Sequence, residues 1–324
     1  VSMDIYTNMD TKKQEALNDV FSGKTYTWPN STVQAGVVAI DSSTGKIIAL
    51  GAGRNRKGEL TMSYATDIKR QIGSTAKPLF DYAPGIEYEN WSTAKIFSDT
   101  PTSYSGGGGK IVNYDYAYKG DITLRYALSD SRNIPAVKAF RSVDNEKIKK
   151  FVTSIGLTPE IDSSGYMHEA HALGAFDGTS PLQLAGAYQV FSNGGYYYEP
   201  YTVNKIVLRN SDEVIDEKET APEKQKVLSD STAYMIADVL KQTAKNIGVY
   251  GIVSDQIALK TGTTNYDDKT RAYYGYPSGT GPDGLVAGFT SDISLAMWTG
   301  YTENKKGQYL SGSTMYSHKN NLYK

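Results

Sequence analysis

Ser74 and Lys77, in the run Gln71-Ile-Gly-Ser-Thr-Ala-Lys-Pro78, stand three residues apart directly after a glycine. If a helix starts at Ser74, residues i and i+3 share a face, and side chains lean toward the helix N-terminus. The lysine amine is then carried back over the serine hydroxyl. A serine becomes a nucleophile when a neighbouring base takes its proton, and a lysine can be that base once its amine is neutral. Pro78 suits a first helical turn, where no intrahelical donor is lost. The spacing alone is weakly specific, since roughly one Ser-x-x-Lys is expected by chance in a chain of this size. This chain has three. Ser43-Thr-Gly-Lys46 sits in a turn-forming cluster, and Ser92-Thr-Ala-Lys95 repeats the letters of the first. For each, a capping or turn serine beside a solvated lysine is the bland alternative.

The elements that must position these residues can be read from the pattern. Residues 1–32 open with a strand-like run, Asp4 to Asp10, then a helix from about Thr11 with Ala16, Leu17, Val20 and Phe21 on one face, ended by Trp28-Pro29-Asn30. This reads as a connecting segment packed on the main domain. Ala35–Ile40 and Lys46–Leu50 flank Asp41-Ser-Ser-Thr-Gly45 as a hairpin, so Ser43 lies in a loop where the helical argument fails. From Asp81 to about Lys226 the pattern is mainly helical, with helices at Ile122–Leu128, Ile134–Val143 and Pro181–Phe191, and a small hairpin from Lys205 closing near Val214. Thr232–Lys245 is amphipathic, with Asp230 or Ser231 as its cap. Strands follow at Gln256–Lys260, Leu285–Phe289 and Ser294–Trp298, the first two separated by a Gly/Tyr/Pro-rich loop, Tyr273–Gly284. Strands at both ends and helices between them predict an α/β domain with a helical insertion, the site lying where the two meet.

Two further triplets complete the set. Ser131-Arg-Asn133 is the single Ser-x-Asn and falls in a helix-connecting loop; Lys260-Thr-Gly262, extended by Thr263, is the single Lys-Thr-Gly and falls at a predicted strand end. Ser-x-x-Lys, Ser-x-Asn and Lys-Thr-Gly in this order resemble the signature of penicillin-binding proteins and serine β-lactamases. From about residue 34 to 300 the chain resembles the transpeptidase domain of a class A (bifunctional) penicillin-binding protein of Gram-positive type. The resemblance includes Gly73–Pro78, Leu128–Pro135, Leu259–Thr264, Leu285–Phe289 and Met297–Gly300. It favours Ser74 over Ser92, because the family's serine follows glycine and its lysine precedes proline.

The resemblance implies a penicillin-binding-protein/serine β-lactamase-like fold: an antiparallel sheet flanked by helices, with 81–229 as a mainly helical subdomain of a domain spanning 33–324. It implies D,D-transpeptidation of peptidoglycan stem peptides ending in D-Ala-D-Ala. Ser74 would attack the carbonyl between the D-alanines and Lys77 would take its proton, its pKa lowered by burial and by the cation Lys260. Ser131 would relay a proton to the leaving group, and Asn133 would hold Lys77 and the substrate amide. Lys260, Thr261 and Thr263 would hold the terminal carboxylate, Gly262 would allow close backbone approach, and the N–H groups of Ser74 and Thr263 would form the oxyanion hole. β-Lactams would acylate Ser74. Residues 1–32 resemble the link after a glycosyltransferase domain, which with a membrane anchor is expected upstream, since Val1 is not an initiator methionine. The protein is then expected at the outer face of a bacterial membrane, alongside other cell-wall synthesis proteins. The family usually closes with a long helix, for which Met315–Lys324 is a short candidate.

Other readings are weaker. A serine β-lactamase would need a water-activating carboxylate, but no Glu-x-x-Leu-Asn lies between Ser131 and Lys260, and Arg132 replaces the aspartate of Ser-Asp-Asn. A D,D-carboxypeptidase is poorly separated from a transpeptidase by sequence, and a non-catalytic penicillin sensor would keep the nucleophile without turnover. His168-Glu-Ala-His171 is one residue short of a zinc His-Glu-x-x-His, and Asp267-Asp268 reads as a solvated loop. No cofactor or metal is expected. The 324 residues are 39% hydrophobic with formal net charge −1, which gives no electrostatic case for nucleic acid. The absence of cysteine excludes disulfides and thiol catalysis.

Overall fold

Val37 and Val38 are both buried although successive strand residues point to opposite faces. A strand of that kind belongs to a sheet covered on both sides. The computed structural model describes residues 2–57, 61–211, 213–216, 221–249 and 257–312. Its strands of three or more residues are β1 (Met3–Thr7), β2 (Gln34–Asp41), β3 (Ile47–Gly51), β4 (Ile96–Asp99), β5 (Gly120–Thr123), β6 (Val203–Leu208), β7 (Glu213–Ile215), β8 (Ala258–Thr263), β9 (Asp283–Phe289) and β10 (Ile293–Gly300). Its α-helices are α1 (Thr11–Ser22), α2 (Ala83–Glu89), α3 (Leu124–Ser129), α4 (Asn133–Arg141), α5 (Asn145–Ser154), α6 (Pro181–Tyr188), α7 (Asp230–Asn246) and α8 (Asp268–Tyr274).

The central sheet is antiparallel and five-stranded, in the order β8-β9-β10-β2-β3. The chain's two ends therefore meet at the β10–β2 pair, where Trp298 lies opposite Gly36. One face, with Val37, Leu259, Val286 and Met297, packs on α1 and the end of α7; the other, with Val38, Ala258, Leu285 and Trp298, packs into the core shared with α6 and the helical region. The Ser294 hydroxyl donates to Ala185 O of α6 (2.7 Å), which ties that helix beneath the sheet. The helical region between the two sheet halves is the large cluster around Phe80, Leu128, Phe140 and Phe151.

The structure departs from the sequence reading in several places. Ile122 and Thr123 belong to β5, paired with β4, and the helix starts only at Leu124 with Thr123 as its cap. β-Branched residues next to a glycine favoured the strand. Ser229, not Asp230 or Ser231, caps α7. A short helix, α8, capped by the Asp267 side chain, stands in the region read as a loop. The segment 1–32 is tied in by β1, which pairs with β6 in a small three-stranded sheet. Gln256 and the helix candidate Met315–Lys324 lie outside the described residues.

β8 is an edge strand, and its free side meets the turn Gly73–Ala76. The approach is backbone to backbone: a Cβ on Gly262 would come within 2.3 Å of Ile72 O. Gly262→Ala is therefore expected to push β8 off the turn and cost about 1–3 kcal/mol. Gly109→Ala, which has open space around the added methyl, should change stability by less than about 0.5 kcal/mol. Urea unfolding of both variants checks this pair of outcomes.

Candidate active site

Ser74 is the second residue of a 3-10 turn, Gly73–Ala76; a π-helical turn, Pro78–Tyr82, follows, and α2 continues from it. Lys77 follows this turn and its backbone N–H bonds Ser74 O, the i+3 spacing of a 3-10 turn that brings positions three apart onto one side. Helix-initial N–H groups have no intrahelical acceptor, which leaves the Ser74 amide open. The Thr263 amide joins it. Just past β8 the Thr264 N–H bonds Asp283 O of β9 (3.3 Å), and amide directions alternate along an extended chain, so the Thr263 N–H faces the free edge. A Cβ on Gly73, whose φ is +53°, would lie 2.8 Å from that nitrogen.

The Lys77 amine is fully buried and donates to Ser131 O (2.6 Å), Asn133 Oδ1 (2.7 Å) and Ser131 Oγ (3.2 Å). The Ser74 hydroxyl is half-buried and is not among these partners. The two shorter bonds suffice for the two N–H groups of a neutral amine, which leaves its lone pair for a hydroxyl proton. Desolvation brings the Lys77 pKa down to about 7, helped by Arg132 and opposed by Asp81 and Asp130. The cation that lowers it is thus Arg132, where the sequence suggested Lys260. Lys260 is also buried; its amine donates to Ser131 Oγ (2.8 Å) and Thr261 O (3.1 Å). With Lys260 donating to it and Lys77 Nζ 3.2 Å away, the Ser131 hydroxyl lies between the two amines.

Ser131 reaches both amines because its backbone is left-handed, φ +57°, an unusual state for a non-glycine residue. The next residue holds it there. Arg132 is fully buried, bonding Asp99 (2.9 Å) and Asp115 (2.9 Å), with Asp130 at 3.5 Å and Ala117 O as a fourth acceptor. Asp99 also accepts from Asn113 (2.8 Å), whose own Oδ1 accepts the Asn133 N–H (2.8 Å). The Asn133 amide donates to Val112 O (2.7 Å), fixing its oxygen toward Lys77. Sequence reasoning missed Asp99, Asn113 and Asp115. They lie far upstream, and the only available signal was the unusual arginine in Ser-Arg-Asn.

Ser74, Lys77, Ser131, Asn133, Lys260 and Gly262 converge where the 73–76 turn, the 129–133 loop and β8 meet. Thr261 and Thr263 lie on the opposite face of β8 from Lys260, half-buried and exposed respectively. A cavity of about 400 Å³ opens beside this junction, lined by Lys69, Arg70, Thr264, Tyr266 and Asp283 among others. The decoys are elsewhere. Ser92 is exposed and accepts from Ala94 N (3.3 Å), and Ser43 donates to Asp41 in the hairpin loop (2.6 Å). His171 is a core residue stacked on Phe176, and Glu169 pairs with Arg141, which holds its carboxyl at about 2.

Residues 35–322 match the penicillin binding protein transpeptidase domain. The chain belongs to that family. It is 39% identical to penicillin-binding protein 1A/1B of Bacillus subtilis over 94% of its own length and 33% of that protein's. It is 34% identical to penicillin-binding protein 1A of Streptococcus pneumoniae, covering 93% of this chain and 42% of that protein. It thus spans between a third and a half of these class A relatives. PonA1 of Mycobacterium tuberculosis, solved in complex with penicillin V, shares the fold at a TM-score of 0.81 with 20% identity, over 97% of this chain and 83% of that one. The domain is a penicillin-binding-protein/β-lactamase-like α/β fold with its sheet antiparallel throughout.

Removing the buried arginine leaves Asp99 charged and unpaired, so Arg132→Met is expected to cost about 3–5 kcal/mol. Urea unfolding at neutral pH measures the loss.

Proposed function

We propose that this penicillin-binding transpeptidase domain cross-links peptidoglycan stem peptides through an acyl-enzyme on Ser74, and that β-lactams acylate the same serine. The observation that carries this reading is a buried lysine amine with a pKa near neutrality, fixed by Ser131 and Asn133 and three residues after a half-buried serine on a 3-10 turn. In the proposed reaction Lys77 takes the Ser74 proton as Oγ attacks the carbonyl between the two D-alanines. The developing oxyanion is received by the N–H groups of Ser74 and Thr263. Ser131 passes a proton to the departing D-alanine nitrogen, and Lys260 can restore it. Lys260, whose amine curls to the strand edge at Thr261 O (3.1 Å), joins the Thr261 and Thr263 hydroxyls at the terminal carboxylate; Asn133 orients the substrate amide; Gly262 lets the substrate backbone lie against β8. An amine of a second stem peptide then attacks the ester, forming the new amide and releasing Ser74.

Further readings rest on the class A relatives. The parent protein would also be a peptidoglycan glycosyltransferase, with 1–32 linking that domain to a transpeptidase domain from residue 33 and with 81–229 as its helical subdomain. It would act at the outer face of the bacterial membrane together with cell-wall synthesis proteins. Among the described residues no helix is long and apolar enough to cross a membrane. A D,D-carboxypeptidase would differ only in using water for the second step, and acceptor assays separate the two.

The test is intact mass after incubation with benzylpenicillin. One stable adduct is expected on the parent and on Ser92→Ala, and none on Ser74→Ala. An adduct lost only in Ser92→Ala would overturn the assignment, and rapid turnover without an adduct would indicate a β-lactamase. The pH profile is a second check. A base with a pKa of about 7 works only when deprotonated, so the acylation rate should fall about tenfold per pH unit below that value and level off above it.

A further inference from the structure

Asp81 is fully buried, and neither of its carboxyl oxygens has a hydrogen-bond partner. Buried polar groups are nearly always satisfied, and a lone buried carboxylate is costly enough that it takes up a proton or pairs with a cation. Asp81 lies one helical turn after Lys77, whose amine is equally buried, and the intervening segment is the π-helical turn Pro78–Tyr82. Such turns are rare and cluster at functional sites. Among the described residues of the elements packed against this segment, Lys138, Arg141, Arg125, Lys147 and Lys149 are held by other acceptors, Lys150 is exposed, the acids Glu87, Glu89, Glu146 and Glu169 bond Ser229, Lys147, Lys149 and Arg141, and His171 stacks on Phe176. Arg132 and Asp130 act on Lys77 from the catalytic loop. The mechanism above does not use Asp81.

The geometry points to Asp81 as a positioning residue whose carboxyl, out of hydrogen-bond reach of the Lys77 amine, acts on it by charge through the dry interior and thereby sets the strength of the base that activates Ser74. With one proton on the two groups the pair is neutral, as ammonium with carboxylate. Loss of the proton to solvent gives the working form, amine with carboxylate. When Lys77 then takes the Ser74 proton, the O–H bond breaks, an N–H bond forms, and the pair returns to neutrality inside the protein. The directions of the two groups agree with this coupling: burial raises the Asp81 carboxyl well above the ordinary range while Lys77 opposes it, and Asp81 in turn supports the proton on Lys77. The pair titrates as a unit, so one macroscopic step belongs to both residues.

The proposal rests on the acylation reading and is tested by the rate of benzylpenicillin acylation against pH. In Asp81→Asn the ammonium form loses its counter-charge, so the acidic limb should move at least one pH unit lower and the plateau should fall several-fold. Asp81→Glu, which keeps a carboxylate, should hold the limb near the parent's position. A slower enzyme whose limb stays in place in Asp81→Asn means a merely structural role and overturns the proposal. If the asparagine variant does not unfold cooperatively, the parent alone decides by carbon-13 aspartate NMR, which needs no substrate. One carboxyl carbon is expected to titrate far above the rest, with the midpoint of the acylation profile. If every aspartate titrates in the ordinary range, the proposal fails, whatever the outcome of the acylation test itself.

Discussion

An amine taken out of water must find oxygen atoms to donate to or give up its proton, and Lys77 is placed so that both happen. Its burial brings the pKa near 7, and the oxygens that remain available to it come from a single loop, through Ser131 and Asn133. The loop therefore has to be rigid to within hydrogen-bond tolerance, since a loosened acceptor would leave a buried donor unsatisfied. The left-handed Ser131 and the fully buried Arg132 meet that requirement together. The first turns two oxygens of one residue toward the amine. The second fastens the loop to strand β4 and to the 113–117 segment.

The same residue that holds the loop also acts on the amine electrostatically. Arg132 is a permanent cation in the interior, and its field disfavours a second positive charge on Lys77. Asp81 works in the opposite sense. The base thus answers to two opposing influences, the Arg132 cation and the Asp81 carboxyl. Its strength is a property of the assembled core and cannot be assigned to the Ser-x-x-Lys tetrad by itself.

How much of this was legible depends on the range over which each feature is determined. The hairpin around Asp41, the helix over 230–246 and the strand carrying Lys260 are set by local alternation and turn chemistry, and they were found within a few residues of their observed bounds. The three motifs were legible because their spacing and order are recorded in the sequence itself. The pairing of β1 with β6 was not, because it joins segments about two hundred residues apart and neither is strongly apolar. Nor was the clamp on Arg132, whose carboxylates read as ordinary turn residues until folding buries them. Asp81 was invisible for a related reason: one acidic residue in a helical run is expected on a solvated face, and only the packing of the surrounding helices shows that this one has no solvent.

The free side of β8 also bears on how the molecule behaves in company. An unpaired strand edge is a template for any other extended chain, and most proteins blunt such edges with charge, proline or a covering element. Here the edge cannot be covered if a peptide is to lie along it. The 73–76 turn meets the edge backbone to backbone at Gly262 and Thr263, so that stretch of the edge is blunted by the turn itself, a built-in protection against edge-to-edge association with copies of the protein.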